Sequence, residues 1–113
     1  MNCIIIDDDY LMQTLLQSFV SKSRLLNCLG AYDNPIEAKE VLENNTVDLI
    51  FLDIEMPKMS GFDYLDSEEN NSQIIVISGN EKYALNTFEY GITDYLLKPF
   101  SYDRFLKAVH KAI

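Results

Sequence analysis

The chain has 113 residues, of which 48% are apolar and 24% charged, and this balance indicates one globular domain rather than a disordered segment. Its formal net charge of −9 argues against direct binding to nucleic acid or to an anionic membrane, because both partners carry the same sign of charge. No apolar run reaches the ~18 residues of a membrane span, and the first strand begins without a preceding signal peptide. We therefore expect a cytoplasmic protein without membrane contact.

The first half of the chain alternates short apolar runs with segments of helical period. Residues 2–6 predict a strand, residues 10–22 a helix and residues 27–32 a second strand. Residues 33–45 predict a second helix, because a capping asparagine, a proline and a glutamate follow one another at the spacing of a helix start. The residues concerned are Asn34, Pro35 and Glu37. The residues expected on the buried face of the first helix are Leu11, Leu15, Phe19 and Val20.

The second half repeats the same alternation three times. Strands are predicted at 48–52, 73–78 and 94–97, and helices at 61–67 and 81–90. A last helix follows the capping residue Ser101. For the helix at 81–90 the inward residues are Ala84, Leu85 and Phe88, and for the last helix Tyr102, Phe105, Leu106, Val109 and Ile113. The two cysteines, Cys3 and Cys28, fall in strands, have no metal-site spacing and imply no disulfide.

The strand runs CIII, LIFL and IIVI are apolar at every position rather than at every second one. Such strands are buried on both faces, which is typical of a parallel sheet covered by helices on both sides. The sequence thus predicts an α/β domain with a doubly wound, five-stranded parallel sheet and five helices. Sheets of this class bind ligands beyond the carboxyl ends of their strands.

Polar side chains stand at these strand ends. Asp7 and Asp8 follow the first strand, Asp53 the third, Ser78 the fourth and Lys98 the fifth. The three aspartates should converge if the first and third strands are neighbours. Two unit charges 4 Å apart repel by roughly 4 kcal/mol at an effective dielectric constant of about 20, so the carboxylates need either protons or a cation.

An all-oxygen ligand set of this kind suits Mg²⁺. A lysine ammonium and a hydroxyl beside the ion suit a phosphate group. These residues therefore predict a phosphoryl site in which Asp53 is the candidate nucleophile. Asp53 alone would more simply be a turn or cap residue, and Asp9, which comes next after Asp8, most simply caps the first helix.

Four stretches together resemble the receiver domains of response regulators in two-component signalling. They are IIIDDD at 4–9, DLIFLDIEMPKMSGFDYL at 48–65, IIVISGN at 74–80 and DYLLKPF at 94–100. The segment FEYGITDYLLKPFSYDRFLKAV further resembles receivers of LytTR-type regulators. The resemblance covers essentially the whole chain and implies a flavodoxin-like sheet of order 2-1-3-4-5.

The resemblance also implies the roles of the strand-end residues. Asp53 would accept a phosphoryl group from a histidine kinase or a phosphotransfer protein. Asp8, Asp53 and the backbone carbonyl of Glu55 would ligate Mg²⁺, and Asp7 would assist through a water molecule. Lys98 would contact the phosphoryl oxygens.

Four further roles come from the same resemblance. Ser78 and Tyr95 would be switch residues that turn inward on phosphorylation, although Tyr95 could also be an ordinary strand tyrosine. The Lys98–Pro99 peptide bond would be cis. Glu55 and Asn80 would tune the lifetime of the phosphoryl group.

The resemblance implies a signalling switch rather than a turnover enzyme. Phosphorylation would alter the face of the fourth helix, fifth strand and fifth helix. A homodimer through that face is one arrangement open to the domain, and the sequence does not tell whether phosphorylation drives it. The chain would be the N-terminal part, residues 1–113, of a longer regulator that controls transcription through a separate DNA-binding domain. The alternatives are a single-domain receiver acting through protein–protein interaction, a pseudo-receiver, and a phosphatase of the haloacid-dehalogenase type, which places an aspartate where Glu55 stands.

Three other features have plainer interpretations. His110, the only histidine, is expected on the surface of the last helix. The segment DSEENN at 66–71 is expected to be a solvated acidic loop. Tyr83, Phe88 and Tyr90 could belong either to the core or to a partner surface.

Overall fold

The computed structural model describes residues 1–56, 60–67 and 71–113, and in them five strands alternate with five α-helices. The strands are β1 (Asn2–Ile6), β2 (Asn27–Tyr32), β3 (Leu49–Asp53), β4 (Gln73–Ser78) and β5 (Asp94–Leu97). The helices are α1 (Tyr10–Lys22), α2 (Lys39–Asn44), α3 (Gly61–Ser67), α4 (Ala84–Phe88) and α5 (Tyr102–Ala112). A 3-10 turn over Glu81–Tyr83 precedes α4. All five predicted strands are present, and each end lies within one residue of its predicted place.

The five strands form one parallel sheet in the order β2-β1-β3-β4-β5. The predicted flavodoxin-like fold is therefore confirmed. Ile4 of β1 pairs with Ile50 of β3, which in turn pairs with Ile74 of β4. The strand order reverses between β1 and β3, so the ends of these two strands form the crevice where such sheets bind ligands.

Each face of the sheet has its own apolar core. Consecutive side chains of a strand point to opposite faces, so Ile5 packs beneath α1 and α5 whereas Ile4 packs beneath α2, α3 and α4. On the first face the rings of Phe51 and Phe105 stack with centroids 5.3 Å apart. Burial on both faces explains why the central strands are apolar at every position.

The second helix starts later than the sequence pattern predicts. The capping hydrogen bond expected at Asn34 is present, because its side chain accepts from the Glu37 N–H at 3.0 Å. The N–H of Lys39, however, pairs with the Ile36 carbonyl at 3.3 Å, which is a tighter turn than an α-helix. Regular helix begins only at Lys39, so the predicted range 33–45 is too long at its start.

Four apolar residues assigned to buried helix faces are exposed instead. Leu11 is 77% exposed and Leu85 81% exposed, and Phe88 and Ile113 also face outward. Polar residues take inner positions in α1 and α4: Gln13 is buried in α1. Thr87 is buried in α4, where its hydroxyl is satisfied by donating to the Ala84 carbonyl at 2.8 Å. The other predicted inward residues of α5 pack against the first core.

Two remaining expectations concern surface regions. His110 is exposed, as predicted. In the acidic segment 66–71, residues 68–70 lie outside the described residues, and the exposed Asp66 accepts a hydrogen bond from the Tyr90 hydroxyl at 2.6 Å. None of the described helices has both the length and the apolar character that crossing a membrane requires.

Gly61 at the start of α3 packs directly against the end of β3. A Cβ atom there would lie 2.5 Å from the Ile54 Cα and 2.8 Å from the Asp53 carbonyl oxygen, both of them backbone atoms. We predict that Gly61→Ala lowers the free energy of unfolding by about 1–3 kcal/mol through this overlap. Gly79→Ala is the matched control, because nothing lies within 4 Å of its added Cβ. Urea denaturation compares the two variants, and equal effects would contradict the packing argument.

Candidate functional site

The carboxyl ends of β1 and β3 bring three aspartates together. Oxygen atoms of Asp7, Asp8 and Asp53 all lie within 4.8 Å of one another. Asp7 is fully buried and Asp53 is 3% exposed, whereas Asp8 faces solvent. Lys98, which follows β5, places its Nζ 3.4 Å from Asp7 Oδ2 and 3.9 Å from Asp53 Oδ2. One ammonium group thus lies beside two buried carboxyl groups, with the exposed Asp8 close by.

Backbone N–H groups hold the two buried carboxylates in place. Asp7 Oδ1 accepts from the Asp9 N–H at 2.8 Å, and Asp53 Oδ1 accepts from the Glu55 N–H at 3.0 Å. Asp9 itself caps α1, as its residue type predicts, by accepting from the Leu11 N–H at 3.0 Å. The Glu55 side chain is exposed. The second oxygen of each buried aspartate therefore stays directed toward Lys98.

Burial makes the two aspartates hard to ionise. It raises the pKa of Asp53 to about 7, and the neighbouring Asp7 carboxyl adds to this rise, while the Glu55 N–H and Lys98 oppose it. Burial also raises the pKa of Asp7, against the opposing effects of the Asp9 N–H and Lys98. A cation bound among these groups would relieve both effects, because it stabilises the charged carboxylates.

The donor set fits Mg²⁺. This ion takes six oxygen ligands at roughly 2.1 Å, so neighbouring ligand atoms lie roughly 3–4 Å apart, close to the spacing of the three aspartates. Asp7 Oδ2 is buried and accepts no hydrogen bond from the described residues, so this oxygen has bonding capacity left for water or a cation.

The loop after β4 links Ser78 to Tyr95. The buried Ser78 hydroxyl donates to the Asn80 carbonyl at 3.2 Å and accepts from the Asn80 N–H at 3.0 Å. The Tyr95 hydroxyl donates to the same Asn80 carbonyl, and the Tyr95 ring is buried against the second core. The main-chain N–H of Lys98 donates to the Ser78 carbonyl at 2.8 Å, and the Lys98–Pro99 peptide bond is cis. The Asn80 carbonyl thus links Ser78 to Tyr95.

Helix α5 holds the main chain of Tyr95 from the other side. The buried Asp94 carboxylate accepts from Arg104 Nη1 at 2.7 Å and from Nη2 at 2.9 Å, and Lys111 Nζ lies 3.2 Å away. Arg104 also donates to the Tyr95 carbonyl at 3.2 Å. Burial acts to raise the pKa of Asp94, but Arg104, the Tyr95 N–H and Lys111 bring it below its usual value. Sequence reasoning missed this ion cluster, whose partners are ten and seventeen residues apart.

Gln13 is a second residue that sequence reasoning missed. It lies on the inner face of α1, where its Nε2 donates to the Asp7 carbonyl at 2.6 Å and to Asp33 Oδ1 at 2.9 Å. It therefore ties the end of β1 to the segment that follows β2. The sequence signals Gln13 only as a polar residue at a position on the inner face of α1, where an apolar residue would be expected.

We predict that Gln13→Ala lowers the free energy of unfolding by about 1–3 kcal/mol, because it leaves a buried carbonyl and a carboxylate without their donor. Gln17→Ala in the same helix is the control, since Gln17 is exposed, and it should change stability by less than about 0.5 kcal/mol. Urea denaturation of both variants is the measurement. A Gln13 variant as stable as the Gln17 variant would show that this link is unimportant.

Comparison with known protein families assigns the fold and site to a family. Residues 3–110 match the family described as the response regulator receiver domain. The chain belongs to this family. Receiver domains are signalling modules of two-component systems, so the resemblance stated from the sequence is confirmed at this level. The family match also decides against the haloacid-dehalogenase type of phosphatase.

Two curated relatives are regulators of greater length. The receiver domain is 36% identical over 114 residues to the sensory transduction protein LytR of Staphylococcus epidermidis, covering 98% of this chain and 45% of LytR. It is 37% identical over 115 residues to the transcriptional regulatory protein DcuR of Escherichia coli, covering 96% of this chain and 48% of DcuR. The chain thus spans about half the length of these relatives, and LytR among them agrees with the LytTR-type resemblance.

Solved structures share the fold. The response regulatory domain of mrkE from Klebsiella pneumoniae superposes with a TM-score of 0.88 at 28% identity, covering 99% of this chain and 94% of that one. TrrA from Thermotoga maritima, solved in complex with Mg²⁺ and beryllium fluoride, gives a TM-score of 0.84 at 23% identity, covering 99% of this chain and 98% of that one. The second likeness shows the fold alone.

Proposed function

We propose that this receiver domain is a phosphorylation-dependent switch in which Asp53 accepts a phosphoryl group from a histidine kinase or a phosphotransfer protein. The observation that carries the proposal is the position of Asp53. It is a buried carboxyl at the point where the strand order reverses, 3.9 Å from the Lys98 ammonium and beside two further aspartates. Buried, charged groups with shifted pKa values in such a crevice are typical of functional sites.

In the transfer step, a carboxylate oxygen of Asp53 forms a bond to phosphorus while the bond from phosphorus to the donor's nitrogen breaks. Asp53 must be ionised to act, although burial favours its neutral form. Lys98 assists because its ammonium is already directed at the Asp53 and Asp7 carboxylates and would meet the phosphoryl oxygens. The domain acts on its own aspartyl phosphate only and is not a turnover enzyme.

Asp8, Asp53 and the Glu55 carbonyl would hold Mg²⁺ directly, and Asp7 would hold it through water. When bound, the ion neutralises charge on the aspartates and on the phosphoryl oxygens. The spacing of the three aspartates supports this assignment, and so does Asp7 Oδ2, which faces Lys98 at 3.4 Å but accepts no hydrogen bond among the described residues. TrrA, which shares the fold, was solved with Mg²⁺ and beryllium fluoride.

Ser78 and Tyr95 would report the phosphoryl group to the surface. A phosphoryl oxygen at Asp53 competes with the Asn80 carbonyl for the Ser78 hydroxyl, which now donates to that carbonyl. The loop from Gly79 would then move, and with it the contact between Asn80 and Tyr95. Glu55 and Asn80, which follow Asp53 and Ser78 by two residues, would flank the phosphoryl group and tune its lifetime, as the likeness to the receiver family implies.

The output would be a change in the face formed by α4, β5 and α5. This face exposes three apolar side chains, Leu85, Phe88 and Leu97, and such exposure supports homodimerisation or docking of a partner there. We propose that a separate DNA-binding domain carries out transcriptional control, as DcuR is a transcriptional regulatory protein of about twice this length. The acidic domain itself would bind neither DNA nor membrane, and its location would be cytoplasmic.

The proposal is tested by NMR of ¹⁵N-labelled protein in Mg²⁺, before and after addition of beryllium fluoride as a phosphoryl mimic. We expect the amide signals of residues 78–83 and Tyr95 to shift in the wild type and to stay unchanged in Asp53→Asn. Ser78→Ala should still bind the mimic, with shifts near Asp53 but smaller ones at Tyr95. A wild type that does not respond, or an Asp53→Asn variant that responds equally, would overturn the proposed function.

A further inference from the structure

Cys3 and Cys28 lie 25 residues apart in sequence but side by side in the sheet. They are register partners on the neighbouring parallel strands β1 and β2, and both thiols are free. Both side chains lie on the face of α1 and α5, where Cys3 belongs to the first core and Cys28 packs against it. The Cys28 thiol donates a hydrogen bond to the Gly30 carbonyl at 3.5 Å. The function proposed above uses neither of them.

The backbone spacing allows a bond between the two sulfurs. Neighbouring strands are about 4.8 Å apart, and disulfides join residues whose Cα atoms are roughly 4.4–6.8 Å apart. The ladder between β1 and β2 shifts register directly after this pair, since Ile4 aligns with Gly30 rather than with Leu29. Such a bulge leaves one residue unpaired and disrupts the ladder locally. The pair therefore lies directly beside an irregularity in the ladder between β1 and β2.

The two thiols are not equivalent. Cys3 is fully buried, whereas Cys28 lies on the edge strand β2 and is only partly buried. The neighbouring Cys3 thiol lowers the pKa of Cys28 to about 7, against the effect of burial. Cys28 and burial together raise the pKa of Cys3. Cys28, which is the more exposed thiol and the one with the lowered pKa, is therefore the expected nucleophile.

We propose that Cys3 and Cys28 form a peroxide-sensitive dithiol, in which Cys28 is oxidised first and Cys3 then closes a reversible disulfide between β1 and β2. In the first step the Cys28 thiolate attacks one oxygen of a hydroperoxide and the O–O bond breaks, which gives a sulfenic acid and hydroxide or alkoxide. In the second step the Cys3 sulfur displaces the sulfenic hydroxyl group as water and forms the S–S bond. Overall, two thiols are oxidised by two electrons and one peroxide is reduced to water and water or an alcohol.

This inference is independent of the proposed phosphorylation. Cys3 precedes Asp7 by four residues of extended strand, roughly 13 Å, so the dithiol and the acidic cluster lie at different ends of β1. The disulfide would fix the edge strand β2 to the strand that ends in Asp7. Neither cysteine contacts Asp53 or Lys98 in the hydrogen bonds and ion pairs of the described residues.

The test treats the reduced full chain with a small excess of hydrogen peroxide and measures intact mass after the remaining thiols are alkylated under denaturing conditions. We expect the wild type to lose about 2 Da, to take up no alkylating group and to recover both thiols with dithiothreitol. Cys28→Ser should leave Cys3 reduced, with oxidation at least about tenfold slower. Cys3→Ala should stop at a Cys28 sulfenic acid, which dimedone traps.

Three results would overturn the inference. The first is that the wild type keeps two alkylatable thiols, and the second is that it forms disulfides only between chains. The third is that Cys3 is oxidised in the Cys28→Ser variant as fast as in the wild type. Circular dichroism checks that both variants fold. If Cys3→Ala does not fold, the comparison of wild type with Cys28→Ser still decides the question.

Discussion

Lys98→Met is expected to slow the reaction of Asp53 with a small-molecule phosphodonor about 10²–10³-fold. This is the usual effect of removing one preorganised charged group that stabilises a transition state. Lys98 Nζ lies 3.4 Å from Asp7 Oδ2 and 3.9 Å from Asp53 Oδ2. Its removal leaves two buried carboxyl groups without their cation, so Asp53 ionises less readily as well as losing its contact to the phosphoryl oxygens. Methionine keeps the length of the side chain without its charge.

The measurement is the initial rate of phosphoryl adduct formation, followed by mass spectrometry at a fixed Mg²⁺ concentration. Lys107→Met is the matched control, because Lys107 is an exposed lysine on α5. That variant should react at the wild-type rate. If Lys98→Met also reacted at the wild-type rate, the role assigned to Lys98 would be wrong.

Asp53→Asn is expected to stabilise the metal-free protein at pH 8 and to have little effect at pH 4. Asp53 has a pKa of about 7 in the folded protein, against about 3.9 in an unfolded chain. Between about pH 4 and about pH 7 the folded state therefore keeps a proton on Asp53 that the unfolded state has released. The stability contributed by this proton is complete below about pH 4 and is lost as the pH rises through about 7. Asparagine mimics the neutral acid at every pH. A difference of about three pKa units corresponds to at most about 4 kcal/mol.

Urea denaturation in EDTA at pH 4, 6 and 8 measures this effect. The free energy of unfolding should fall toward pH 8 in the wild type more steeply than in Asp53→Asn. Asp9→Asn is the control, because asparagine caps a helix as well as aspartate does, and it should follow the wild-type profile. An Asp53→Asn variant that loses stability with pH as steeply as the wild type would show that Asp53 is not the group concerned.

The fold could be predicted because the central strands are apolar at every position. The runs at 3–6 and 74–77 need two covered faces, and the structure supplies them with two cores on opposite sides of the sheet. Helix faces were predicted less well. A helix as short as α4 gives too few turns for its period to define a buried face, and in the structure Thr87 is buried while Leu85 is exposed.

The candidate site could be predicted as far as it depends on strand ends. Asp7, Asp53 and Lys98 each follow a recognisable strand, and the carboxyl ends of parallel strands meet at one edge. Contacts that depend on register or on helix rotation could not be predicted. The pairing of Cys3 with Cys28 is fixed by the alignment of β1 with β2, and the contact of Gln13 with Asp7 by the rotation of α1.

The central claim is that Asp53 is the phosphoryl acceptor in a Mg²⁺-dependent reaction. The most direct measurement is intact mass after incubation with a small phosphodonor, with Mg²⁺ or with EDTA, for the wild type, Asp53→Asn and the control Asp9→Asn. We predict a single adduct of about 80 Da in the wild type and in Asp9→Asn with Mg²⁺, and none in Asp53→Asn or in EDTA. An undiminished adduct in Asp53→Asn, or no adduct in the wild type, would contradict the account.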